Sequence, residues 1–297
     1  MGLIKRFGRR LAAFSAIAAT ACASPAAEAR EASPALWKVA DADTTVYLFG
    51  TIHLLPKDTS WRSPAFEKAV KSADTLVLET LIDENDPTPV FAALNKLGVS
   101  PGLPPLADRV KPEKRAALAT VIAKSGAPAE VYDKMETWAA GYLLLLVQLS
   151  QIGLDPGVES TIKAEFSAEG KTIGQLETNA EQLGFFDGLP EADQEAFLEG
   201  VLEDPAAMKT QLTQMVDAWS RGDVKAIART FGEEFQVSPE LKKALLLKRN
   251  ANWARWVKGR LDKPGTVLVA VGAGHLAGDG SVVSLLEKQG LKVTRVQ

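Results

Sequence analysis

The sequence predicts an α/β fold: a mixed sheet formed from the N- and C-terminal parts of the chain, carrying a large helical insertion. Three observations predict it. Short apolar runs rich in β-branched residues lie toward both ends: Val46-Tyr47-Leu48-Phe49, Thr75-Leu76-Val77-Leu78 and Val267-Leu268-Val269-Ala270-Val271. The middle of the chain, about residues 95–235, carries mainly helical periodicity. The only two histidines share one frame, Gly50-Thr51-Ile52-His53 and Gly272-Ala273-Gly274-His275, and each frame follows one of those apolar runs.

Taken in order, residues 1–29 read as an export signal rather than as fold. Lys5, Arg6, Arg9 and Arg10 form a basic start, and Leu11 to Ala21 is an apolar stretch too short for a membrane-spanning helix. Cleavage can follow Ala23 or Ala29, both at A-x-A sites, and leaves residues 30–297 as one α/β domain in the periplasm. Arg9-Arg10 hints at twin-arginine export. A lipid anchor through Cys22 is the lesser alternative, since the residue three before it is Ala19 rather than Leu.

Trp37–Ala40 and Thr45–Phe49, broken by Asp41-Ala42-Asp43, predict a two-strand hairpin. Ser63-Pro64 predicts the start of a helix reaching Lys71, because Ser caps and Pro suits the first helical position. Thr75–Glu79 is a short buried strand. Pro112–Ser125 and Ala129–Ile152 are periodic, and the second is a core helix too short to span a membrane. Lys171–Glu177 predicts a strand. Helices are expected over Pro190–Arg221, Val224–Phe231 and Pro239–Leu261, the last capped by Ser238. Thr266–Val271 is the clearest strand, followed by a helix over Ser281–Gln289 and a closing strand over Lys292–Val296.

Composition excludes several kinds of chemistry. Cys22 is the only cysteine and lies in the signal, so the mature chain has no disulfide, thiolate nucleophile or Cys-ligated metal. Removing residues 1–29 takes away four basic residues and Glu28, so the formal charge of −3 becomes −6. No basic cluster remains, which argues against nucleic acid. No Ser sits in a G-x-S-x-G frame, so a Ser nucleophile has little support.

In open α/β sheets ligands bind beyond the carboxyl ends of strands, where the chain turns into loops. His53, His275 and Glu79 all lie at such exits. Two imidazoles and one carboxylate, with coordination positions left for water and substrate, suit a catalytic divalent metal such as Mn²⁺, Co²⁺ or Zn²⁺. Read blandly, the histidines are separate loop residues and Glu79 is a solvated carboxylate. Arg249 and Asn250 open a helical stripe with Trp253 and Trp256; they are either a solvated pair or, facing the site, holders of a carboxylate and a carbonyl. Glu177 is either a further site carboxylate or a charge at the next helix N-terminus.

Phe49-Gly50-Thr51-Ile52-His53, Leu78-Glu79, Gly174-Gln175-Leu176-Glu177 with Glu181-Gln182, Arg249-Asn250 and Val271-Gly272-Ala273-Gly274-His275 together resemble the TraB/PrgY/GumN family, which is related to the Tiki-like proteases. The match runs in order through essentially the whole mature chain. The resemblance implies a fold distantly similar to the erythromycin-esterase and ChaN-like group. It also implies the metal-dependent peptidase activity of the Tiki branch, with His53, Glu79 and His275 at the site. The chain departs from that branch in having no C-terminal membrane helix, and Lys248 stands where the family often has an acidic residue. The expected function is an exported, metal-dependent hydrolase of a peptide or other small amide or ester. Two alternatives remain open: a metal-free hydrolase with a histidine as general base, and a periplasmic protein that binds haem, iron or another small ligand without hydrolysis.

Overall fold

The computed structural model describes residues 30–297 apart from 58, 83–85, 87 and 235–237. The export signal and its cleavage sites therefore lie outside the described residues. Six strands form the main sheet: β1 (Leu36–Ala40), β2 (Thr44–Thr51), β3 (Thr75–Leu78), β4 (Thr172–Gln175), β5 (Gly265–Gly272) and β6 (Val293–Arg295). Their order across the sheet is β6-β1-β2-β5-β3-β4. The β6–β1 and β1–β2 pairs are antiparallel, and β2–β5, β5–β3 and β3–β4 are parallel. This is the mixed α/β sheet that the sequence predicts, with N-terminal β2 and C-terminal β5 side by side at its centre.

The β1–β2 hairpin forms because Asp41 folds its side chain back onto the turn, where Oδ1 accepts from the Thr44 N–H at 2.8 Å. Strand alternation divides the sheet into two apolar faces. Val267, Val269 and Val271 of β5 join Val46, Leu48 and Val77 under Trp253, Val257, Val282 and Leu286. Leu268 and Ala270 point the other way, with Phe49, Leu76 and Leu78, into a layer of Phe66, Ile162, Phe166, Trp219 and Ile227. Gly265–Gly272 is thus buried on both faces, which explains its continuous apolar run.

The helical middle is more broken than its periodicity predicts. Ala129–Ile152 is two helices, Ala129–Asp133 and Thr137–Ser150. Between them Arg109, itself buried, donates Nη2 to the Asp133 carbonyl at 2.7 Å and Nη1 to the Met135 carbonyl at 2.6 Å, catching the acceptors the break exposes. Pro190–Arg221 is also two helices, Glu191–Val201 and Pro205–Ser220, split where Asp204 caps the second and Pro205 opens it. Segment 95–235 is not a single helical excursion either, since β4 returns to the sheet within it. Further helices at Thr88–Leu97, Val158–Ala168 and Asn179–Asp187 complete this part. Leu144 is fully buried in Thr137–Ser150 while Leu146 is exposed, and among the described residues no helix is long and apolar enough to cross a membrane.

Ser238 caps the predicted C-terminal helix as expected, but Pro239–Lys242 passes through a π-helical segment, Lys243–Lys248, before the α-helix Arg249–Arg260. Such segments are rare and favour functional sites.

Candidate functional site

Thr51 pairs with Gly272 and Leu78 with Ala270, so β2, β5 and β3 end together. Past those ends come His53, the short 3₁₀ turn Ala273–Leu276 with His275, and Glu79. Glu177 follows β4 in the same way. The two G-x-x-H frames pack on one another: a Cβ on Gly50 would stand 3.2 Å from the Ala273 Cα. Each glycine has its own contact to make. Gly272 donates its N–H to Glu79 Oε1 at 2.7 Å, and a Cβ there would meet that same oxygen at 3.1 Å. A Cβ on Gly274 would enter the Phe231 ring at 2.5 Å.

Arg249, only 6% exposed, is the hub. Its Nε donates to both Glu177 oxygens, at 3.1 and 2.9 Å, and its Nη2 donates to Glu79 Oε2 at 2.7 Å. Its Nη1 donates to the Leu245 carbonyl at 3.2 Å, from within the π-helical segment, and lies 3.2 Å from His275 Nε2. The guanidinium also lies 4.7 Å from the Trp253 ring centroid, and the Trp253 N–H donates to Glu177 Oε1 at 2.9 Å. Asn250 Oδ1 is 2.7 Å from His275 Nδ1, while Asn250 Nδ2 donates to the Gly280 carbonyl. With Asn250 accepting at Nδ1, Nε2 of a neutral His275 keeps its lone pair and accepts from Arg249.

The protonation states follow from these contacts. Burial drives His275 down to about 3, against the weaker pull of Glu79, so the ring is neutral. Burial pushes Glu79 up, yet the surrounding positive groups, His275 and Arg249 foremost, bring it to about 2. A neutral His275 lends no charge at neutral pH, so Arg249 foremost, with His53 and the Gly272 N–H, keeps Glu79 ionised. For Glu177, burial outweighs Arg249 and the carboxyl is raised.

The structure thus brings Glu79, Glu177, Arg249, Asn250 and His275 into one network. Glu177 is less a free site carboxylate than an anchor for Arg249, because Arg249 and Trp253 occupy its oxygens. His53 stands apart. Its ring is 74% exposed and has no ion-pair contact with Glu79; instead Nδ1 lies 2.6 Å from Glu159 Oε1. The protein atoms around the ring pull its pKa down, and the Glu159 carboxylate more than reverses this, to about 9. Glu159, in the first turn of Val158–Ala168, escaped the sequence reading, and nothing in its local pattern separates it from an ordinary acidic residue at a helix start.

The donor chemistry for a divalent ion is present in part. His275 is neutral and Glu79 anionic, as ligands must be, and His275 Nε2 and Glu79 Oε1 are 3.9 Å apart. Each imidazole has an oxygen partner at Nδ1, Asn250 Oδ1 for His275 and Glu159 Oε1 for His53. Among the described residues, however, no three His, Cys, Asp or Glu side chains converge as a cage, and Arg249 occupies the lone pair of His275.

A model of the TraB/PrgY/gumN family matches residues 35–295. The chain belongs to the TraB/PrgY/gumN family. The matched span contains all six strands and every residue of the network. This TraB/PrgY/gumN member is 26% identical over 242 residues to the uncharacterized protein YbaP of Escherichia coli (strain K12), an alignment covering 81% of this chain and 87% of that protein. YbaP of Shigella flexneri gives the same figures. No solved structure matches.

Proposed function

We propose that this family member is a hydrolase of amide or ester bonds in peptides or similar small substrates, working with a divalent ion such as Mn²⁺, Co²⁺ or Zn²⁺. The observation that carries the reading is the pairing of opposite states at one sheet edge: an ionised Glu79 and a neutral His275, 3.9 Å apart. His275 Nε2 and Glu79 Oε1 would hold the ion, joined by His53 Nε2 once that ring gives up its proton, with Asn250 and Glu159 behind the two rings. A bound ion would supply a polarised carbonyl and a water of lowered pKa.

The protein's own groups do the rest. Glu79, with Oε1 on the Gly272 N–H and Oε2 on Arg249, is oriented to accept a proton from an attacking water. Arg249 is the contact that ion binding must displace from His275. Its Nη1 then becomes available to a substrate carbonyl or carboxylate, while Glu177 keeps its Nε in place.

The test is cleavage of a peptide mixture by the purified mature chain loaded with Mn²⁺ or Co²⁺, with the chelated protein as control. Glu79→Gln should reduce turnover by about 10²–10⁴ if Glu79 accepts the proton, and should lower metal content if it is a ligand. A Glu79→Gln protein that cleaves and binds metal as wild type does would overturn the assignment.

A further inference from the structure

Glu159 lies beside His53 because the backbone holds it there. The Gly157 N–H donates to the His53 carbonyl at 2.7 Å and the Val158 N–H to the Ile52 carbonyl at 3.3 Å. Leu54–Leu55 pairs antiparallel with Asp155–Pro156. The crossing is so close that a Cβ on Gly157 would stand 1.8 Å from the Ile52 carbonyl oxygen. The turn bearing His53 and the start of the helix bearing Glu159 are therefore clamped together, although 106 positions separate the two residues.

Glu159 Oε1 and Thr51 Oγ1 are both buried at this junction, and His53 and Thr51 both favour the ionised form of the carboxylate. Glu159 Oε1, 2.6 Å from His53 Nδ1, is positioned to take a proton from that nitrogen. His53 makes no other ion pair or aromatic-ring contact that fixes its orientation among the described residues. We propose that Glu159 is the positioning residue of His53: it takes the Nδ1–H, so that in the neutral ring the lone pair lies on Nε2. Asn250 does the same for His275 with an amide. A carboxylate suits the exposed ring, because a charged acceptor holds a solvated donor more strongly than a neutral one does. The use of Nε2 rests on the hydrolase reading; the tautomer does not.

With only two histidines, ring ¹⁵N signals of the intact mature protein can be assigned directly. At pH 10, where His53 is neutral, metal-free wild type should show His53 protonated on Nδ1; an Nε2–H form would overturn the proposal. Glu159→Leu should convert His53 to Nε2–H and weaken Co²⁺ binding about 10–100-fold, with the His275 signals unchanged as the sign that the fold is intact. A Leu variant in which His53 stays Nδ1–H would also overturn it. Glu159→Gln keeps an acceptor of the same size and should keep the tautomer; its loss there counts against the proposal too. Failure to cleave peptides with these tautomers intact would sink the hydrolase reading and leave the positioning role standing.

Discussion

Gly50, packed on Ala273, and Gly272, packed on Glu79, give the repeated G-x-x-H spacing a physical cause at the level of single residues. Gly272→Ala must push Glu79 aside by a few tenths of an ångström, so it should impair activity more than stability, which paired turnover and urea-denaturation measurements would separate. Gly274→Ala drives a methyl into the Phe231 ring; overpacking of that kind costs about 1–3 kcal/mol and should appear as a lower denaturation midpoint. The two histidines also predict a pH profile. His53 is raised in the fold, so its stabilising contribution is complete below about 6.5 and is lost as pH climbs toward 9. His275 is depressed, so the unfolded chain gains a proton that the folded one refuses, and stability is lost as pH falls from about 6.5 toward 3. Thermal midpoints should therefore peak near pH 6.5, with the alkaline limb flattened in His53→Ala and the acid limb in His275→Ala. Equal limbs in wild type and variants would contradict this. The neighbourhood of His275, Glu79, Arg249 and Asn250 is legible because rare or chemically distinctive side chains stand at strand ends or beside them on one helix, whereas His53 shares the frame but stands apart. Glu159 is not legible, since its partner is fixed by a crossing of distant backbone segments.

Among the elements, the strands were the most legible and the helix breaks the least. Apolar β-branched runs mark β2, β3 and β5 without help from the rest of the chain. The interruption at Lys134–Glu136 depends on Arg109, whose side chain arrives from a separate loop and has no local signature. Arg109→Met should orphan the carbonyls of Pro104, Asp133 and Met135, each loss worth about 1–3 kcal/mol, and calorimetry should register it as a lower melting temperature. The π-helical segment is likewise invisible in a periodic apolar stripe, because Lys243–Lys248 fits an α-helix as well. The crossing at Gly157 gives the sharpest element-level expectation. Gly157→Ala cannot be accommodated without moving the Ile52-His53 backbone, so metal affinity and turnover should both fall while the far-UV spectrum stays that of the wild type. Unchanged Co²⁺ binding in that variant would show that the clamp is not needed.

For the whole molecule, export is an expectation that mass spectrometry of the periplasmic fraction can settle: the N-terminus should lie near Ser24 or Arg30, and a full-length cytoplasmic protein starting at Met1 would contradict it. The α/β class was legible because strands cluster toward both ends and helices fill the interval. The way β4 rejoins the sheet edge midway was harder to see, since Thr172–Gln175 is only half-apolar and packs on one neighbour. The central β2–β5 pairing has a further consequence in time. Thr44 is matched with Gly265, so the sheet's middle contact closes only after more than two hundred intervening residues have been made. A ribosome delivering this chain releases β2 and β3 early, with the gap between them still open, and such long-range closure is intrinsically slow. The centre of the sheet therefore stays open until the final segment arrives. Any product of premature termination ahead of Gly265 would lack His275 and expose two unpaired strand edges, which makes it prey for quality control.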